Sequence, residues 1–315
     1  MALTSGNMFK QSEPDKLKPE FKPTIGIVGY GYVGQAMHRM FRDKYECVIK
    51  LNRSNVGYRT RLGGREELKQ NDIRPDINKC DLTIICVPTP MKKDEFVEVN
   101  GMKVYRCDTS IVEGVVEWCE STVIMIKSTI EVGTVDRLKE KYPNKRIVFS
   151  PEYVGEGSYY VTPRMDFQTD AVKTPFFICG GDQKDCEFIF DILTPVMGPE
   201  CHYKSMPARD AEFVKYIEND YFAHKVVWAN EKRKMAEALG VNWHNAREGW
   251  GLDPRVDKMH TGIFVTSRGY SGKCLPKDMN AIMYASVKAG YTPTMEVGML
   301  KSNMEMRGKT DQTEI

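Results

Sequence analysis

Thr24-Ile25-Gly26-Ile27-Val28-Gly29-Tyr30-Gly31-Tyr32-Val33-Gly34 is the stretch on which the fold turns. Residues 24–29 form a short apolar run that ends in glycine, the pattern of a strand buried on both faces of a parallel sheet. Gly29 to Gly34 then match G-x-G-x-x-G, and a helical pattern starts at about Tyr32 and runs to about Tyr45. Alone, such a match is weak. Placed between a strand and a helix, it carries the context of a dinucleotide fingerprint rather than of an ordinary glycine-rich turn. Gly29 permits the tight turn, Gly31 lets a pyrophosphate approach the backbone, and Gly34 lets helix and strand pack closely. The helix N-terminus, with Tyr32 and Val33 in its first turn, stabilises phosphate charge. The stretch therefore predicts NAD or NADP binding.

Further apolar runs at 47–51, 82–87, 123–127, 146–150 and 176–179 alternate with helical segments. That alternation predicts an α/β fold, a Rossmann-type doubly wound parallel sheet with helices on both faces. From about residue 208 the character changes. Residues 208–239 form one helical pattern without glycine or proline, stopped by Gly240. The reading is a polar, disordered tail over 1–23, a dinucleotide-binding domain over 24–203, and an all-α domain over 204–315 built on one long helix.

Composition sets the outer bounds. The chain has 315 residues, 41% hydrophobic and 28% charged, with a formal charge of +2. This is a globular balance that demands neither nucleic acid nor an anionic membrane as partner. No transmembrane run and no secretory signal are visible. Nine cysteines, without C-x-x-C or any metal-ligand spacing, point to reduced thiols in a cytoplasmic compartment and to no bound metal. Cys80, Cys86 and Cys179 read as packing residues.

Ribose selection falls at the end of the second strand, where an acidic residue binds the 2′-hydroxyl of NAD. Here that position is Asn52, followed by Arg53, a pair able to accept a 2′-phosphate or to sit solvated at a strand end. In the second half, Lys215 and Asn219 are four apart on one helix face, and a lysine beside a carboxamide can hold a developing oxyanion. Gly269-Tyr270-Ser271-Gly272-Lys273-Cys274-Leu275-Pro276-Lys277-Asp278 sets a cysteine in a glycine-rich turn. Two flanking lysines favour its thiolate, and a carboxylate follows four residues later, the pattern of an activated nucleophile. Lys127-Ser128-Thr129 and Pro151-Glu152-Tyr153-Val154-Gly155-Glu156-Gly157 each close a strand at the edge where doubly wound sheets bind ligands.

Taken together, these stretches resemble the UDP-glucose/GDP-mannose dehydrogenase family. The matching segments are 29–34, 87–90, 127–134, 150–157, 212–225, 251–255 and 269–278, in family order across residues 25 to about 305. The resemblance implies a four-electron oxidation of a nucleotide sugar's CH2OH group to a carboxylate with two nicotinamide cofactors, NAD in the family, with NADP open on local chemistry. It implies that Cys274 attacks the aldehyde, that Lys215 and Asn219 stabilise the oxyanion, that Asp278 and Thr129 position water, and that Glu152 assists acid–base steps. It assigns Val87, Pro88, Thr89, Pro90, Ser128, Thr129, Glu156 and Lys277 to the cofactor. Tyr153, Val154, Gly155, Glu156, Lys215, Tyr270 and Gly272 go to the sugar. Arg255 matches an arginine that reaches a neighbouring subunit's substrate, which implies a homodimer built on the long helix.

Three departures stand out. The chain stops near the end of the dimer-type helical region, before the family's third, nucleotide-gripping domain. Ser271-Gly272-Lys273 replaces the usual Gly-Gly-Ser, and the ribose position is Asn52. Two other readings follow from the same residues: a single-step NADP-dependent β-hydroxyacid-type dehydrogenase, which also has a Lys-x-x-x-Asn helix, and a non-catalytic nucleotide-binding module.

Overall fold

The computed structural model of the chain describes residues 22–51, 54–61, 64–70, 72–155 and 170–314. The tail expected over 1–23 lies almost wholly outside these residues, as do Asn52, Arg53, Glu156 and Gly157. The opening stretch forms β1 (Thr24–Val28) and α1 (Tyr32–Phe41), and β2 (Glu46–Lys50) follows. Next come β3 (Gly57–Arg61), β4 (Gly64–Gln70), the single turn α2 (Arg74–Ile77) and β5 (Leu82–Ile85). A hairpin of β6 (Met91–Val99) and β7 (Met102–Cys107) leads to α3 (Ser110–Trp118), β8 (Val123–Ile126), α4 (Thr134–Lys141) and β9 (Ile147–Phe149). The sheet half ends with β10 (Phe176–Gly180), α5 (Gln183–Met197) and β11 (His202–Met206). Helices α6 (Ala208–Ala238), α7 (Trp243–Trp250), α8 (Leu275–Lys288) and α9 (Thr294–Arg307) make up the rest.

The main sheet has the order β11-β10-β9-β8-β5-β1-β2-β3-β4. Strands β2, β1, β5, β8 and β9 run parallel. The chain leaves β1 through α1 to reach β2 on one side, then returns to β5 on the other. The order therefore reverses between β1 and β5, and the crevice at their carboxyl ends is the ligand-binding position of a doubly wound sheet. Alternate side chains feed two cores, as the period of two requires. Ile25, Ile27, Ile49 and Ile84 pack with Met37, Met40 and Phe41 of α1 on one face. Val28, Val48, Ile85 and Ile126 pack with Val112, Val116 and Leu138 on the other.

The three loop glycines separate cleanly by what surrounds them. Gly29 has φ +92°, and a Cβ there would run into the Cys86 carbonyl. At Gly34 a Cβ would collide with the carbonyl of Gly29, whereas at Gly31 nothing lies within 4 Å. Turn, close packing and open approach are thus divided among them as the fingerprint requires.

In three places the chain departs from simple strand–helix alternation. β3 and β4 add to β2 as an antiparallel edge hairpin. The alternation of buried Tyr58 and Thr60 with half-buried Arg59 is a half-exposed strand pattern. β10 pairs antiparallel with β9 and parallel with β11. Finally, β6 and β7 form a separate antiparallel ribbon closed by Asn100-Gly101, with φ +49° and +76°. An Asn-Gly pair between strands is a strong hairpin signal.

This ribbon packs on the helical half. Val99 and Val104 bury against Met283, Val297 and Leu300. Buried Asn280 accepts from the Tyr105 amide at 3.1 Å, and Tyr284 and Arg106 both reach Glu95. Helix α6 is as long as the sequence predicts, and Gly240 follows it with φ +66°. It packs on α8 and α9 through Ala223, Val227, Met279 and Met299. Among the described residues no helix is long and apolar enough to cross a membrane.

Candidate active site

The carboxyl edge of the sheet collects the cofactor candidates. Gly29 to Gly34 follow β1, Val87 to Pro90 follow β5, and Ser128 and Thr129 follow β8. Ser128 ties two of these loops together. Its Oγ accepts from the Val87 amide at 2.9 Å and donates to the Val87 carbonyl at 2.7 Å. Thr89 is buried, while Pro88 and Pro90 are exposed at the rim. The N-terminus of α1 has no acid in its first turn and no side-chain cap on its amides. With open space at Gly31, it fits a dinucleotide pyrophosphate both in room and in charge. Tyr32 is exposed at the same turn, and Val33 is half-buried.

Next to this edge lies a run of polar side chains that three distant segments bring together. Lys127, directly after β8, is almost fully buried and donates to the Pro151 carbonyl at 2.8 Å. Its Nζ is 3.4 Å from Glu152 Oε2. Glu152 Oε1 accepts from the amides of Tyr153 and Val154 at 2.8 and 2.7 Å, which fixes the backbone of the segment after β9. Lys215 of α6 donates to the Glu152 carbonyl at 2.6 Å and to Asn219 Oδ1 at 3.3 Å. Asn219 Nδ2 donates to Asp278 Oδ2 at 2.5 Å, and Lys277 bonds the other Asp278 oxygen. The chain Lys127–Glu152–Lys215–Asn219–Asp278–Lys277 is thus continuous from the sheet edge, across α6, to α8.

Cys274 stands at the end of this run, at the N-cap of α8, and it is the one exposed thiol of the nine. A helix N-terminus favours a thiolate. Lys277 adds charge. Burial pulls the Lys277 pKa down, but Asp278, Cys107 and Cys274 around it more than offset this and leave it raised. Asp278 has both oxygens engaged by Asn219 and Lys277. Gly272, with φ +92° and open space around it, turns the chain into the cysteine.

The structure distributes the remaining sequence candidates unevenly. Tyr153 is half-buried, edge-on to Phe176 and 5.8 Å from Lys215 Nζ. Val154 and Gly155 are half-buried beside it. Thr129 is half-buried at the sheet edge, and its carbonyl lies 3.8 Å from Cys107 Sγ. Tyr270, assigned to the sugar by resemblance, has its ring in the core with Ala223, Val227 and Met279. Its backbone is held by Asn303. Arg255 is exposed and paired with Asp253.

Sequence reasoning gave no role to four residues that matter here. Lys127 was visible as a charge directly after an apolar strand. Glu218 sits at i+3 from Lys215, on the same helix face as Asn219. Glu212 is fully buried and accepts from the amides of Gly133 and Val135, so it caps α4 and docks it on α6. Cys107, buried beside Thr89, has its thiol pushed up to about 11, chiefly by burial.

Comparison with known proteins agrees with this layout. Residues 60–187 match the NAD binding domain of the UDP-glucose/GDP-mannose dehydrogenase family, and residues 209–305 match that family's central domain. UDP-glucose 6-dehydrogenase AglM of Haloferax volcanii is 25% identical across 86% of this chain and 67% of its own length. TuaD of Bacillus subtilis, also a UDP-glucose 6-dehydrogenase, is 26% identical across 90% of this chain and 63% of its own. The chain therefore spans about two thirds of the length of these relatives. A UDP-glucose dehydrogenase from Pyrobaculum islandicum superposes with a TM-score of 0.72 at 22% identity, covering 92% of this chain and 70% of that one, which shows a shared fold. With both domain matches in order and together spanning more than two thirds of its residues, the chain belongs to the UDP-glucose/GDP-mannose dehydrogenase family.

Proposed function

We propose that the chain oxidises the C6 hydroxymethyl group of UDP-glucose or a related nucleotide sugar to the carboxylate, with two molecules of NAD. The observation that carries this reading is the polar run from Lys127 to Lys277, which reaches an exposed cysteine at a helix N-terminus beside the cofactor edge. The matched relatives act on UDP-glucose by name. We assign residues 24–203 to cofactor binding and 204–315 to the helical unit. A cytoplasmic location fits nine thiols that form no disulfide.

The chemistry assigns a role to each group. When bound, the nicotinamide accepts one hydride per oxidation. The Cys274 thiolate adds to the aldehyde formed first, making a C–S bond and an alkoxide that Lys215 and Asn219 stabilise as it develops. Loss of the second hydride from that carbon gives a thioester. Water, oriented by Asp278 and Thr129, cleaves it to the carboxylate and returns the thiol. Glu152 supports the acid–base steps through the segment it holds in place. Covalent capture keeps the aldehyde on the protein between the two hydride transfers.

We infer a homodimer from the surface of α6. Phe213, Ile217, Tyr221, Trp228 and Met235 are exposed large apolar side chains at helical spacing along one stripe. Such a stripe, long and unshielded, suits a second copy of the same helix. Arg255, exposed in the single chain, is then available to a neighbour's site.

The test is a turnover screen of UDP-glucose, UDP-N-acetyl sugars and GDP-mannose with NAD and with NADP. The unsubstituted protein and Cys274→Ser are compared. Turnover of at least one nucleotide sugar, abolished beyond the aldehyde by the substitution, is expected. Full activity in Cys274→Ser points instead to single-step β-hydroxyacid chemistry, and cofactor binding with no turnover points to a binding module.

A further inference from the structure

Each oxidation in the proposed reaction releases a proton as well as a hydride, and that proton needs an acceptor. Three carboxyl groups lie along the polar run around Lys215: Glu152, Glu218 and, through Asn219, Asp278. Glu152 has its Oε1 taken by two backbone amides and its Oε2 facing buried Lys127 at 3.4 Å. Asp278 has one oxygen bonded by Lys277 and the other by Asn219. Both oxygens of Asp278 are therefore occupied, whereas Glu152 Oε2 accepts no hydrogen bond but is enclosed beside Lys127, its side chain 11% exposed.

Glu218 shares such an open oxygen with Glu152 but differs in its neighbour, Lys215 rather than Lys127, and in its access to solvent. It lies three residues after Lys215 on α6, and its Oε2 is buried, accepts no hydrogen bond and stands 3.8 Å from Lys215 Nζ. Its side chain keeps 27% exposure, which leaves a path to solvent. The groups that face it are Lys215 on its own helix, and Glu152 with the phenol of Tyr153 from the segment after β9. From α8, Lys277 and Asp278 are bonded to each other and reach α6 through Asn219.

We propose that Glu218 is a positioning residue for proton transfer, taking up through Lys215 the proton released when the sugar hydroxyl is oxidised. This rests on the reading given under Proposed function. Ionised Glu218 takes a proton from the Lys215 ammonium. The neutral amine then takes the hydroxyl proton while the C–H electron pair leaves as hydride to the nicotinamide. The products are the aldehyde, reduced cofactor, Lys215 ammonium and protonated Glu218, which loses its proton to solvent. Burial, against the pull of Lys215 and with the push of Glu152, raises the Glu218 pKa to about 7. That is the range in which an acid–base group works best near neutral pH. Because Glu218 must be ionised to start, the first hydride step rises with pH through about 7 and then levels.

The test is the single-turnover rate of the first reduced nicotinamide against pH, with UDP-glucose or whichever nucleotide sugar the screen finds. The unsubstituted protein is compared with Glu218→Gln and Glu218→Asp, each checked for folding by its thermal transition. The expected result is loss of the inflection near 7 in Glu218→Gln, with a rate above neutrality lower by about 10²- to 10³-fold. Sugar affinity stays unchanged, and Glu218→Asp restores the inflection. An inflection retained in Glu218→Gln overturns the proton route while leaving the proposed reaction standing. No turnover of any nucleotide sugar by the unsubstituted protein overturns the proposed reaction and the route with it.

Discussion

The two halves of this molecule handle buried polarity in opposite ways. The sheet half is apolar between strands and helices. Its chemistry lies at the strand ends, in backbone amides, glycines and Ser128, with Lys127 and Glu152 facing the helical half. The helical half runs a line of lysines, carboxylates and an amide through its contact with the sheet. A cofactor common to many reactions needs only a cradle, and a backbone can supply that. Charge that appears and disappears during a reaction needs fixed ionisable groups, and these must be bonded to one another to be buried at all. Under the proposed function, the comparison places binding in the loops of the first half and reactivity in the seam between the halves.

If that division holds, substitutions on its two sides should fail in different ways. The largest effect belongs to Cys274→Ser. Oxidation beyond the aldehyde falls by several orders of magnitude, because a serine has no comparable nucleophile. The thermal transition stays put, since the thiol is exposed. A matched loss of stability and activity would break the comparison. Asn219→Leu comes next. It keeps the volume but removes the donor to Asp278 and the partner of Lys215. We expect kcat to fall by about 10²- to 10³-fold with cofactor affinity unchanged, as for loss of one oxyanion-type donor. Cofactor titration beside steady-state kinetics separates the two.

On the sheet side the same comparison predicts losses in binding and folding. Gly34→Ala forces a Cβ into the carbonyl of Gly29. The cost is about 1–3 kcal/mol of stability, seen in denaturant melts, along with weakened dinucleotide binding. Ser128→Ala leaves the buried Val87 amide without its acceptor. This costs about 1–3 kcal/mol at the upper limit, and less if water enters. It also loosens the loop from Val87 to Pro90. Unchanged cofactor affinity in both variants would mean that the glycine turn and its Ser128 tie do not shape the cradle.

The same division decides what could be read in the sequence. The glycine loop, the parallel strands and α6 were legible because their signals are local: an apolar run, a glycine spacing, a long helical period. Cys274, Lys215, Asn219 and Asp278 were legible as motifs, but their joining was not. A hydrogen bond between Asn219 and Asp278 spans 59 positions, and no periodicity carries it. The β6–β7 ribbon went unread although Asn100-Gly101 is a local hairpin signal, and its docking on α8 depends on tertiary burial of Val99 and Val104. The β3–β4 hairpin was hidden because short, charged edge strands lack the apolar run that marks a central one. Tyr270 shows how tertiary burial adds to such a reading: its ring packs in the core beside Met279.

The central claim is that one site performs both oxidations with Cys274 holding the intermediate. Counting reduced nicotinamide against sugar consumed, under limiting nucleotide sugar, tests it most directly. The account predicts two reduced cofactors per sugar, with no aldehyde released. One reduced cofactor per sugar, with free aldehyde accumulating, would contradict it.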